Sequence, residues 1–203
     1  MENIRAGWLL RANAYECVVG CRVNQANTPA FGEMVCIPQE GDLSIYGLVY
    51  NLSIADDGLV RQLATSEGLD ENTIRDNRDN RTVPLELSVL FLGYEQGEVV
   101  VHLMPPHPPL SLDSLLRCSD EEVMRFTSQG QFGYFRALLR NPDLPVDELL
   151  AAHLRQVVPI QRRCGHDDWA QDAARELIAL LRDDYVRLSA VLSALADAGV
   201  YVQ

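Results

Sequence analysis

Reactive side chains gather at only a few places in this sequence. Cys164-Gly165-His166-Asp167-Asp168 sets a thiol two residues from an imidazole with carboxylates behind it, the residue types of a thiol nucleophile and its base. His102 precedes a proline-rich run, Met104-Pro105-Pro106-His107-Pro108-Pro109-Leu110, and His107 lies within it, so that two imidazoles could be displayed on one rim. Cys17 and Cys21 lie four apart in a strand-like stretch, which puts both on one face; Cys36 falls on the next strand, and Cys118 and Cys164 are remote. Each constellation has a plainer reading, and the plainer one is expected. Five cysteines without paired CxxC spacing predict buried reduced thiols rather than a zinc site. Gly165 is expected to end one helix and Asp167 to cap the next. A histidine in a valine-rich strand is expected to be structural. No catalytic residue, cofactor or metal ligand is assigned.

Charge and composition exclude whole classes. The 29 acidic residues outweigh 17 basic ones, and the formal charge of −12 repels duplex nucleic acid. Every basic residue is arginine. The absence of lysine removes the P-loop lysine, Schiff-base chemistry and a lysine general base together. No apolar run approaches the roughly 18 residues needed to span a bilayer, and the first residues are not a signal peptide, so a cytoplasmic protein is expected.

The elements that would position these groups divide at the proline run. Before it, Gly7 to Arg11, Tyr15 to Val23, Phe31 to Pro38, Leu43 to Ser53, Val83 to Tyr94 and Glu98 to Leu103 read as short, evenly spaced strands. Gly47 inside the fourth suggests a bulge, and Gly97 suits a hairpin turn. Leu85, Leu87, Val89 and Phe91 share one parity while Leu90 and Leu92 take the other, so the second half of that strand is expected to be covered on both faces. Between strands, residues 67–81 are too polar to build a core element. Arg75, Arg78 and Arg81, three apart, could hold an acidic partner or a phosphate, but Asp76 and Asp79 lie between them and a solvated loop is expected.

Phe31-Gly32-Glu33-Met34-Val35-Cys36-Ile37-Pro38, then Ile45-Tyr46-Gly47-Leu48-Val49-Tyr50-Asn51-Leu52, then Leu85 to Tyr94 and the proline-rich exit leading to Ser119-Asp120-Glu121-Glu122-Val123, resemble in pattern and order the HAS-barrel, the small β-barrel shared by HerA-type ATPases and F-type ATP synthase subunits. The resemblance covers roughly residues 5–125. It implies an oligomer-forming or partner-docking cap of the kind that crowns a motor domain. The motor itself is missing, because no Gly-rich loop ending in Gly-Lys-Ser/Thr follows Pro109.

After the run the pattern is helical. Ser119 with Glu122 three residues on is a capping box, Gln131 to Arg140 is a second segment, and Pro145-Val146-Asp147-Glu148 opens a helix that Pro159 should end or kink. A single helix of about 45 Å is expected from about Asp168 to Ala198, stopped by Gly199 and folded back on the preceding helix. Its stripe, including Leu181, Leu188 and Leu192, exceeds what a thin hairpin can cover, so it is expected to dock on the barrel or on a second copy of the chain, with self-association preferred.

The fold class is therefore α+β: an N-terminal antiparallel HAS-like β-barrel over residues 1–110 and a helical region over 111–203. The expected function is that of a non-catalytic assembly or adaptor protein. Its candidate interaction residues are Pro105, Pro106, His107, Pro108 and Pro109 with Leu181, Leu188 and Leu192. Its expected partner is a protein, for which the resemblance implies a HerA-type ATPase, or a second copy, with no membrane contact. The proline run could serve as an extended ligand for an aromatic groove, though a stiff linker setting the angle between barrel and helices is expected. The alternatives are a small Cys/His-dependent enzyme or metal protein, which requires those side chains to converge, and an accessory binder of single-stranded nucleic acid, for which the charge is wrong.

Overall fold

Alternation along the longest strands dictates the architecture. A computed structural model describes residues 4–22, 28–54, 65, 70–72, 75 and 84–200. Its strands are β1 (Arg5–Ala12), β2 (Glu16–Arg22), β3 (Met34–Pro38), β4 (Leu43–Ile54), β5 (Pro84–Gln96), β6 (Val99–Val101) and β7 (Ser114–Arg117). They pair antiparallel in the order β2-β1-β7-β3-β4-β5-β6, and β5 also pairs with β2. That last pairing closes six strands into a barrel and leaves β6 as an outer extension of β5.

The two parities of β5 serve two cores, as expected. Leu87, Val89 and Phe91 fill the barrel interior with Leu9, Val19, Val35 and Ile45. Leu90 and Leu92 face outward with Met34, Cys36, Tyr46 and Leu48, and the helices cover them. The β4–β5 register slips between Tyr46 and Gly47, which is the anticipated bulge. A Cβ at Gly47 would lie 2.4 Å from a Val89 methyl carbon and 2.9 Å from the Leu90 carbonyl oxygen, so the close approach there excludes any side chain.

The helices are α1 (Asp120–Ser128), α2 (Phe135–Leu139), α3 (Val146–Arg163), α4 (Trp169–Leu180) and α5 (Tyr185–Asp197), with a 3₁₀ turn at Gly130–Phe132. The capping box forms: the Glu122 amide donates to Ser119 Oγ at 3.3 Å, and the Ser119 amide donates to Glu122 Oε2 at 2.7 Å. Helix α3 carries Leu149, Leu150, Leu154 and Val157 into the outer core, and α4 and α5 pack against it.

Several expectations are corrected. Strand β7 lies past residue 110, in the stretch read as helical, and it inserts between β1 and β3. The proline run therefore joins two strands of the sheet instead of hinging the barrel to the helices. With four residues, Ser-Leu-Leu-Arg, β7 is too short to show an alternation of its own. Of the two effects expected of Pro159, ending the helix is excluded, since α3 continues to Arg163. Pro159 and Arg155 are exposed, so the carbonyl deprived of its helical donor can turn to water. The single long helix is two. Asp184 opens α5 by accepting a bond from the Arg187 amide at 3.1 Å, and Leu181 to Asp184 form the break. The expected stop at Gly199 is present as a two-bond motif, with Val200 N to Leu195 O at 3.0 Å and Gly199 N to Ala196 O at 3.0 Å.

Candidate functional site

One groove joins barrel and helices where β5 and the segment after β6 meet α2. It encloses about 490 Å³ and is walled by Tyr15, Leu90, Leu92, Leu103 and Met104, with Arg136 and Arg140 at its helical edge. Leu103 and Met104 remain exposed. The Arg140 amide donates to the Arg136 carbonyl at 3.2 Å, so the two guanidinium groups leave the same side of one helical turn. Neither is ion-paired with a described residue. Asp and Glu side chains are absent from the described lining.

His102 forms the floor. It stands just past β6, with its ring 4.8 Å from that of Phe126 and 5.3 Å from that of Tyr134, and Nε2 lies 3.1 Å from the Phe126 carbonyl oxygen. Burial holds its pKa below the ordinary histidine value, the Phe126 and Gly130 backbone partly opposing this, and Arg136 adds to the lowering. Its Nδ1 faces a left-handed turn in which Gly130, Gln131 and Phe132 have φ of 64°, 49° and 56°. A Cβ at Gly130 would lie 2.7 Å from Nδ1, so only glycine lets the ring sit there. Phe132 stacks on Phe135 at 5.5 Å and touches Trp169 at 5.2 Å, contacts that offset its unfavourable backbone. The groove is thus held by aromatic packing behind it.

A polar joint fixes barrel and helices beside this floor. Glu95 is buried and accepts from Tyr46 Oη at 2.9 Å and from Arg125 Nη2 at 3.0 Å, while Arg125 Nε lies 2.9 Å from its other oxygen. Burial, and then the bond to Glu95, push the Tyr46 phenol well above its ordinary value, so its hydroxyl stays a donor to Glu95 at neutral pH.

A second cluster lies at the barrel's other junction with the helices. Cys36 of β3, Cys118 just after β7 and Glu122 of α1 bring two sulfurs and a carboxylate oxygen within 4.8 Å of one another. Strand pairing explains the meeting: Cys36 is opposite Leu116, and the Cys118 amide reaches the Met34 carbonyl at 3.4 Å, so the two thiols are diagonal neighbours on one face. Burial, contact with Cys36, and the Glu122 and Glu33 charges raise the Cys118 pKa. Cys118 also lines a cleft of about 150 Å³ shared with Glu33, Asp120 and His153. Reading Cys118 as remote from the other cysteines is therefore corrected, and the missing signal was β7.

The other sequence candidates separate. Cys17 and Cys21 are buried in the barrel interior, on one face as expected, and burial pushes Cys17 up to about 12. The thiol–imidazole pair of the α3–α4 connection is not assembled: Cys164 is exposed, and His166 Nδ1 lies 2.7 Å from Gln161 Oε1. Gly165 ends α3 as expected, but residue 168 rather than Asp167 occupies the cap of α4, without a side-chain bond. His107 is exposed with Pro106 and Pro108, whereas Pro105 and Pro109 are buried, so the run presents no imidazole pair. Leu181 is buried, Leu188 packs half-buried against the core, and Leu192 is 39% exposed. The break at Leu181 to Asp184 lets α5 fold onto α3, which consumes much of the stripe inside the molecule. Arg78 and Arg81 lie outside the described residues, so the arginine triplet is not described as a unit. Among the described residues, no helix is long and apolar enough to cross a membrane.

No family model and no curated protein matches this chain.

Proposed function

We propose that this chain is a non-catalytic docking module whose groove takes a short apolar segment of a partner protein carrying a carboxylate. The observation behind this reading is the chemistry of the groove: apolar walls edged by Arg136 and Arg140, on a molecule of formal charge −12. Two guanidinium groups without described carboxylate partners suit an acidic side chain or a chain terminus, and Tyr15, Leu103 and Met104 suit the apolar residues beside it. No cysteine, serine or carboxylate belongs to the described lining, and the His102 ring is seated between aromatic neighbours, which supports binding over catalysis. The resemblance to the HAS-barrel points the same way, since such barrels serve as caps. It makes a HerA-type ATPase the partner class to examine first.

Peptide display on the immobilised chain tests the reading. Selected sequences should place Asp, Glu or a free C-terminus next to bulky apolar residues, and Arg136→Glu/Arg140→Glu should weaken their binding by about tenfold or more. Selection of basic peptides, or binding indifferent to the double substitution, would defeat it. Light scattering of the free chain up to high micromolar concentration separates partner docking from self-association through the same groove, because a dimer abolished by the double substitution would make a second copy the occupant.

A further inference from the structure

The cluster of two thiols and a carboxylate can hold a cation, and its construction favours one class. Cys36 is anchored by strand pairing on both sides, to Tyr46 of β4 and Leu116 of β7. Cys118 follows β7 directly, and Glu122 is oriented by its capping bonds with Ser119 at 2.7 and 3.0 Å. Three ligands thus come from three elements that the fold has already fixed. A tetrahedral zinc ion with sulfur at ~2.3 Å and oxygen at ~2.1 Å sets donor separations at roughly 3.5–3.8 Å. The donors here lie within 4.8 Å of one another, so side-chain rotation of about 1 Å closes the set.

We infer that Cys36, Cys118 and Glu122 form a binding site for a thiophilic divalent cation of the zinc class, pinning the first turn of α1 onto the barrel at the β3–β7 seam. Two thiolates with one carboxylate select zinc over magnesium or calcium, which take all-oxygen shells. Both thiols lose their protons on binding, so two protons are released for each ion bound. The cleft of about 150 Å³ that Cys118 lines is the entry path for the ion. The site is separate from the arginine-edged groove, so neither reading depends on the other.

Cobalt(II) titration of the reduced, chelator-treated full chain is the test. One equivalent should produce a thiolate-to-metal charge-transfer band with tetrahedral ligand-field bands, and zinc should displace it. Cys36→Ser and Cys118→Ser should each abolish the two-thiolate spectrum. Glu122→Gln should keep thiolate absorption with affinity reduced about tenfold, and Cys164→Ser should change nothing. Should a serine variant fail to fold, alkylation of the wild type decides: one equivalent of zinc must slow the reaction of the partly exposed Cys118 relative to the chelator-treated chain, while the exposed Cys164 reacts as before. Absence of the band, its survival in Cys36→Ser, or a Cys118 that zinc leaves equally reactive would overturn the inference. So would a Cys36–Cys118 disulfide as the form isolated without reductant.

Discussion

Single residues show where the fold carries internal cost. His153 is fully buried, with Nε2 3.3 Å from Tyr134 Oη, and burial lowers its pKa to about 4, the Gly32 backbone opposing this in part. The unfolded chain takes up a proton near the ordinary value of about 6.5, whereas the folded chain resists until about pH 4. Stability is therefore complete above about pH 6.5 and is lost as pH falls toward 4, by about 3 kcal/mol for this group. Urea midpoints measured across pH 4–7 should show that slope, and His153→Gln should flatten it. Gln131 carries the opposite lesson. It is exposed with φ 49° and ψ 51°, a left-handed backbone that costs a non-glycine residue roughly 1 kcal/mol. Gln131→Gly should raise stability by up to that amount in chemical denaturation, with Gly130→Ala strongly destabilising in the same assay because its Cβ collides with His102.

At the scale of elements, what was legible depended on whether a local pattern carried the information. The Ser119–Glu122 box, the Gly47 bulge, the Gly97 turn and the double-faced β5 all rest on near-neighbour chemistry, and each is present. Strand β7 was invisible because four residues cannot display a period, and its place is set by the unpaired edges of β1 and β3. The stripe over residues 168–198 kept helical spacing across a gap, since Leu181 remains buried in the break between α4 and α5. Proline's usual helix-ending effect failed at 159 because the position faces water. Replacing it with alanine restores the bond to the Arg155 carbonyl, and Pro159→Ala should stabilise the chain by about 1–2 kcal/mol after the greater freedom of its unfolded state is subtracted. Thermal unfolding followed by circular dichroism reads this directly.

For the molecule as a whole, barrel and helices share one side of the sheet. Cys36, Tyr46, Leu48, Leu90 and Leu92 belong to the same cluster as Phe126, Leu149 and Trp169, and the Glu95–Arg125–Tyr46 joint crosses the same boundary. Cooperative unfolding is expected, so in a Trp8→Phe variant the fluorescence of buried Trp169 and the far-ultraviolet signal should give coincident urea transitions. Arg125→Ala leaves the Glu95 carboxylate buried without its cation. The pair is partly open to water on the arginine side, so the loss should be about 2 kcal/mol, below that of a fully buried pair, and Glu95→Gln in the same background should recover part of it.

Sequence alone determined most of the longer strands, the helical character of the residues from 119 on and where several elements stop, because alternation, helical spacing, capping pairs and turn glycines act between residues a few positions apart. It also shows that all 17 basic residues of these 203 are arginine. Tertiary structure alone decided that the chain returns after its proline run to close the barrel. That closure brings Cys118 beside Cys36, and the packing of α2 on β5 builds the arginine-edged groove. Both sites join residues far apart in the chain, and local periodicity holds no information about which distant backbone edge will supply the missing hydrogen bonds.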